Sequence, residues 1–278
     1  MDKKTTQLKN VLERLYARYN HRRLIAPDPL QFVYRYSDPR DIEIVALLAA
    51  ALAYGRVAQI EKSVTSILNS MGKSPFQFIL KFDRQKAAGL KNFKHRFTTG
   101  AHLEDFFNLL KNVLIEFGGI EKFFVSGYHP SDHNIIPALS KFCDNLLAMS
   151  GKKSRGLKYL LPNPKDGSAC KRLNLFLRWM VRKDDVDPGL WKSVDKSKLI
   201  VPVDVHMGRL CKILRLYNRK TVGMASALEI TESFSLIEPS DPVKYDFAIS
   251  RVGIIDNCTG KRRAGCKFCE LVKFCSGG

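Results

Sequence analysis

The sequence predicts an all-α protein, and three observations predict it. Apolar residues recur at helical spacing in one segment after another. Nothing alternates with period two for long enough to make a convincing strand. Finally, 278 residues at 45% hydrophobic composition supply a substantial core, with no repeat or low-complexity linker to divide it.

The elements follow in order. Met1 to Tyr19 reads as an amphipathic helix with Leu8, Val11, Leu12 and Leu15 on one face, and Pro27 and Pro29 break what comes next. Asp38-Pro39 leads into a second helix from about Asp41, an acid suited to the positive end of a helix. That helix is apolar nearly all round, so it should be central. Gly55 interrupts it, and Arg56 opens a helix to about Met71 with Val57, Ile60, Val64, Ile67 and Leu68 inward. Ser74-Pro75 starts a short helix, the serine as cap. Lys91 to Phe97 mixes basic and aromatic residues; it is either an amphipathic segment with its aromatics inward or a nucleic-acid contact. Leu103 to Phe117 is a helix stopped by Gly118-Gly119, and another runs from about Asn134 to Met149.

Lys and Arg total 46 against 27 acidic residues, a formal charge of +19. That excess favours a polyanionic partner such as DNA, RNA or an anionic membrane surface. No apolar run reaches the ~18 residues of a membrane span, and the start lacks a signal-peptide apolar region. An intracellular, cytoplasmic protein is expected. Cys143, Cys170 and Cys211 each fall in a helical pattern and read as small buried residues. Cys258, Cys266, Cys269 and Cys275 are spaced C-x7-C-x2-C-x5-C. In a reducing compartment that cluster reads as metal-bound. Four thiolates suit a [4Fe–4S] cluster or a tetrahedral zinc ion, and free thiols are the bland alternative.

Two stretches carry candidate chemistry. Ser154 to Leu161 forms a short helix, Pro162 to Gly167 must turn, and Ser168 can cap a new helix running ACKRLNLFLRWMVR. Leu173, Phe176, Leu177 and Met180 form its buried stripe, and Lys171, Arg178 and Arg182 share another face. Two helices joined by a tight turn expose backbone N–H groups that can grip a phosphate; the bland reading is a helical corner with a solvated basic face. Ile200 to Leu216 is the second stretch. Met207, Leu210, Cys211 and Leu214 form one buried face, with Asp204 and His206 at the helix start. Aspartate after Pro202 is a natural helix cap.

These stretches resemble the helix–hairpin–helix DNA glycosylase superfamily that includes endonuclease III. Leu161 to Ala169 followed by Lys171 looks like its hairpin and lysine, Val203-Asp204-Val205-His206 with Arg209 looks like its V-D-x-H-x-x-R segment, and the last four cysteines look like its iron–sulfur loop. A weaker match sets Gly55-Arg56 on the family's glutamine-rich turn. The stretch KRLNLFLRWMVRKDD also resembles a mostly bacterial family related to these enzymes. The departures are a hairpin with Gly167 alone where Gly-x-Gly is usual, no glutamine beside Gly55, one residue's difference in the first cysteine gap, and 32 residues between Lys171 and Asp204, the extra piece lying at about Lys183 to Lys198.

The resemblance implies a two-lobed helical protein. Residues 41–183 would form the barrel lobe with the hairpin, and residues 1–40 plus 196–278 the second lobe with the metal loop. It implies base-excision N-glycosylase activity with an abasic-site lyase step on damaged duplex DNA. Lys171 would be the nucleophile and Asp204 the carboxylate that activates it and faces the sugar cation. Arg56, Gly167, Arg172, Arg178, His206 and Arg209 would meet DNA, and Cys258, Cys266, Cys269 and Cys275 would hold a [4Fe–4S] cluster, with zinc as the alternative. A catalytically silent DNA- or RNA-binding protein on the same scaffold is the other reading, and Asp246 is left without a role.

Overall fold

Helix starts follow the capping residues in a computed structural model that describes residues 2–151 and 154–275. Asp2 accepts from the Thr5 N–H at 2.7 Å and opens α1 (Lys3–Tyr19). Short 3₁₀ segments follow at Arg22–Leu24 and Pro29–Arg35. Asp38 caps α2 (Pro39–Ala51), and Gly55, at φ +96°, turns the chain into α3 (Val57–Met71). Ser74 caps α4 (Pro75–Leu80) and Asp83 caps α5 (Arg84–Gly89).

A small antiparallel hairpin comes next, β1 (Lys94–His95) and β2 (Thr98–Thr99), with His95 opposite Thr98. Two-residue strands are too short for an alternating pattern to register, which is why the sequence predicts none. Then come α6 (Gly100–Phe117), ended by left-handed Gly118, α7 (Ile120–Val125), α8 (Ile136–Met149) and α9 (Arg155–Leu160). After a 3₁₀ turn at Pro164–Asp166 the chain forms α10 (Lys171–Val181), α11 (Val205–Ile213), α12 (Met224–Ser235) and α13 (Asp246–Ile254). A last 3₁₀ segment, Ala264–Phe268, carries Cys266.

The apolar helix is central as expected. Every residue of α2 from Ile44 to Ala51 is buried, and the helix packs against the Pro29–Arg35 segment, α3, α4 and α10. Its one mid-helix acid is used: Glu43 accepts from the Ile120 and Glu121 N–H groups, capping α7, and from Trp191 Nε1 at 2.8 Å. α6 gathers α4, α7, α8 and α9. At the other end of the chain, α1 packs on α13 and α13 on α11. Among the described residues no helix is long and apolar enough to cross a membrane.

The Arg178–Arg182 part of the basic face of α10, read from the sequence as a DNA contact or a solvated surface, instead lies in the interior. Arg178 and Arg182 are each 3% exposed. Arg178 pairs with Asp187 at 3.1 Å and with Asp246; Arg182 pairs with Asp187 at 3.0 Å, with Asp241 at 2.8 Å and with Asp184. Arg178 therefore cannot meet DNA, because its guanidinium is consumed by two buried carboxylates. The piece from Lys183 to Lys198 is not a slack connection either. It folds back to supply Asp184 and Asp187, and buries Val186 and Trp191.

Burial is the largest influence on both Asp184 and Asp246, and the two carboxyls come out on opposite sides of it. For Asp184 it acts upward, but Arg182, the Val186 and Asp187 N–H groups and the Tyr16 hydroxyl outweigh it and hold the carboxyl at about 2. For Asp246 burial prevails over Arg178 and raises the carboxyl to about 6.

Asp187→Ala strips an acceptor from two buried guanidiniums and should cost about 3–5 kcal/mol of unfolding free energy, read from denaturant titration. Asp184 is lowered in the folded state, so its stabilisation is complete above about pH 4 and is lost as pH falls toward 2. Asp184→Asn should flatten that part of the stability–pH curve.

Candidate functional site

The hairpin and the start of α10 are held by hydrogen bonds both within the turn and to distant segments. The short helix expected here forms as α9, and Ser154 caps it. Buried Asn163 caps the turn that follows, its Oδ1 accepting from Lys165 N at 3.0 Å and its amide donating to Asp144 at 2.7 Å. Gly167 ends the turn at φ +77°, a left-handed conformation that glycine adopts without strain, and its carbonyl accepts from the Met224 N–H at the start of α12.

Ser168 does not cap α10. Its hydroxyl accepts from the Cys170 N–H, Cys170 takes a left-handed conformation at φ +47°, and the helix begins one residue later at Lys171 with no side-chain cap. The first-turn N–H groups thus lack a side-chain acceptor, the general condition for an anion site at a helix start.

Lys171 and Arg172 lie against the carboxyl end of α2. Lys171 Nζ donates to the Ala53 carbonyl at 3.4 Å, and Arg172 donates to the carbonyls of Ala51, at 2.8 Å, and Tyr159. Two cations at the negative end of the central helix are favourably placed. The Arg172 guanidinium also lies over the Tyr54 and Tyr159 rings, 5.1 and 4.8 Å from their centroids. Lys171 remains partly exposed.

Asp204 caps α11, its Oδ1 accepting from the Met207 N–H at 2.7 Å, and it too is partly exposed. Asp204 and Lys171 are not in contact, but a chain of neighbours joins them. The Asp204 charge is felt by Asp246, the first residue of α13; Asp246 pairs with Arg178, two turns along α10 from Lys171.

His206 and Arg209 serve packing in this arrangement. A Cβ built on Gly253 of α13 would fall 2.6 Å from His206 Nδ1, so the imidazole lies directly on that helix's backbone. Arg209 Nη1 donates to the Cys258 carbonyl at 2.8 Å, tying α11 to the cysteine loop. Arg56 is exposed at the start of α3.

Cys258, Cys266, Cys269 and Cys275 all line one cavity of about 390 Å³, together with Leu210, Ile213 and Leu214, and with Lys261, Arg263 and Lys267 at its wall. The Cys269 thiol is raised chiefly by burial, and also by Cys258 and Cys266, which are therefore near it. Among the described residues no three His, Cys, Asp or Glu side chains converge as they stand on the position of a single ion. Four thiols around one space are the donor type that either a [4Fe–4S] cluster or a zinc ion takes. The other three cysteines are buried, and Cys143 and Cys170 both direct their thiols to the Pro162 carbonyl.

Residues 28–255 match the family described as "Protein of unknown function (DUF2400)". The chain belongs to this family. No curated protein and no solved structure matches it. The DUF2400 match takes in the hairpin, Lys171, Asp204 and both arginines of the network with their four carboxylates, and ends before Cys258. The network is what sequence reasoning missed in this DUF2400 chain. A signal was present, since two arginines four apart on one helix are followed at once by K-D-D-V-D, a compact set of partners.

The contact between His206 and Gly253 is checked by a double-mutant cycle. Gly253→Ala alone should destabilise by about 1–3 kcal/mol through overpacking. Combined with His206→Ala it should cost much less than the sum of the two single changes.

Proposed function

We propose that the chain is a DNA base-excision N-glycosylase with abasic-site lyase activity, related to the helix–hairpin–helix glycosylases. The observation that carries this reading is the pairing of two helix starts: Lys171 opens α10 after a tight turn, Asp204 caps α11, both are partly exposed, and the Arg178–Asp246 ion pair ties α10 to the helix on which α11 packs. The +19 charge supports a polyanionic substrate.

In this reading the target base leaves the stack, and the glycosidic bond breaks with its electron pair departing on the base. Asp204 faces the positive charge that develops on the sugar. The lone pair of Lys171 Nζ then bonds to C1′, and the amine proton passes to Asp204. The nitrogen lone pair forms the C=N bond as the bond from C1′ to the ring oxygen breaks, and that oxygen takes the proton back from Asp204, giving an iminium at C1′ and a free 4′ hydroxyl. The uncapped N–H groups of α10, presented after the turn that Gly167 ends, would hold a phosphate, with Arg56 close to the path of the strand. Arg172 would brace the Lys171 region. Cys258, Cys266, Cys269 and Cys275 would hold a [4Fe–4S] cluster, whose contribution is structural, fastening the tail to α11 and α13; zinc is the alternative occupant.

A second reading has its own support. Lys171 Nζ already meets the Ala53 carbonyl and Asp204 already serves as a cap, as in a DNA-binding protein without chemistry. One experiment separates the two. Incubated with a duplex carrying an abasic site and borohydride, the wild-type protein should give a covalent adduct that Lys171→Ala abolishes. Salt-dependent binding with no adduct would replace the enzyme by the binding protein. For the metal site, protein purified without air should carry about four irons and four sulfides per chain; one zinc per chain would overturn the cluster assignment.

A further inference from the structure

We propose that the β1–β2 hairpin is a stacking site for an unpaired DNA base, with Phe97 as the ring that meets it. The inference rests on the DNA reading above and adds a binding residue to it.

Phe97 is 64% exposed, where a segment with its aromatics inward would bury it. Its exposure is not the result of a loose loop, because the residues around it are pinned. His95 is buried, with Nδ1 2.9 Å from the Ser63 hydroxyl and Nε2 3.0 Å from the Tyr54 carbonyl. Thr98 is buried, its hydroxyl 2.7 Å from that of Tyr54, and the Tyr54 hydroxyl also donates to the His95 carbonyl at 2.8 Å. Between these anchors Arg96 takes a left-handed conformation at φ +50°, with its side chain lying over Gly55, and Phe97 projects from the turn.

The projecting ring continues a ladder. Phe97 meets Tyr159 edge-on at 5.7 Å, and Tyr159 meets Tyr54 edge-on at 5.1 Å. Arg172 lies over both tyrosines, and Arg96 lies 5.5 Å from the Phe97 ring centre. Lys171 is the residue next to Arg172 and bonds the carbonyl of Ala53, adjacent to Tyr54. The tip is cationic throughout: residues 91–97 hold Lys91, Lys94 and Arg96 and no acid, and Arg56 is exposed next to Gly55. A rigid exposed aromatic ring among cations matches a base still attached to its phosphates. The ring supplies stacking and the cations neutralise the backbone.

The test uses the full chain and a fluorescein-labelled duplex with 2-aminopurine opposite a tetrahydrofuran abasic site. Wild-type protein should bind and quench the 2-aminopurine. Phe97→Ala should weaken binding by about tenfold or more, the usual consequence of losing one stacked base, and abolish the quenching, while Phe97→Tyr should keep both. Because the side chain is exposed, the unfolding midpoint of Phe97→Ala should match wild type. Wild-type affinity and quenching in Phe97→Ala would overturn the stacking site while leaving the DNA reading intact. A wild-type protein that does not bind the duplex would overturn both. A Phe97-dependent dimer that leaves binding unchanged would overturn the stacking site alone, since the ring would then serve a second copy of the chain.

Discussion

Two buried arginines hold this fold together. Arg178 and Arg182 share Asp187, and between them they reach Asp184, Asp241 and Asp246, while Arg182 and Asp184 also meet the Tyr16 hydroxyl. Those contacts come from α1, α10, the piece after α10, the segment before α13 and α13 itself. Apolar packing alone would let such elements slide, because it has little directional preference. Charged groups in a low-dielectric interior permit few arrangements, since each unpaired member costs several kcal/mol. The network therefore fixes how the helices carrying Lys171 and Asp204 are set with respect to one another.

Much of the helical layout was legible from the sequence. The cores of α1, α2, α3, α6 and α11 follow their apolar spacing, save that Val57, expected inward, is exposed in the first turn of α3, and Asp38, Ser74 and Ser154 lie where caps are needed. Local chemistry decides such features, so local pattern reveals them. The start of α10 was misjudged by a few residues, because Ser168 bonds a nearer N–H and leaves Cys170 to turn the chain. The small hairpin was missed because its shape depends on Tyr54, some forty residues away, rather than on its own pattern.

The candidate site was legible in its residue types and less so in its surfaces. Lys171 and Asp204 stand at helix starts, as the turn and the proline before them imply. Helical spacing correctly set Arg178 and Arg182 on one face but could not say whether that face looks outward; partners from residues 184 to 246 decided it. Arg209 reads as a phosphate contact until the Cys258 carbonyl is found against it. The four cysteines were legible as a set because they are close in sequence, and the cavity they share needs only a short tail folded over α11.

The pairing of α1 with α13 has a consequence for how the protein is made. Glu13 meets Lys244 across 231 residues of chain, and the buried apolar face of Leu8, Val11, Leu12 and Leu15 belongs to the helix that packs on late-arriving α13, which begins just after Lys244. At synthesis rates of ~5–20 residues per second, that face emerges from the ribosome roughly ten seconds to a minute before its cover exists. α1 is thus made well before the helix it docks against. Until then the nascent chain depends on holding factors, or on its own high charge, to keep that stripe from other chains.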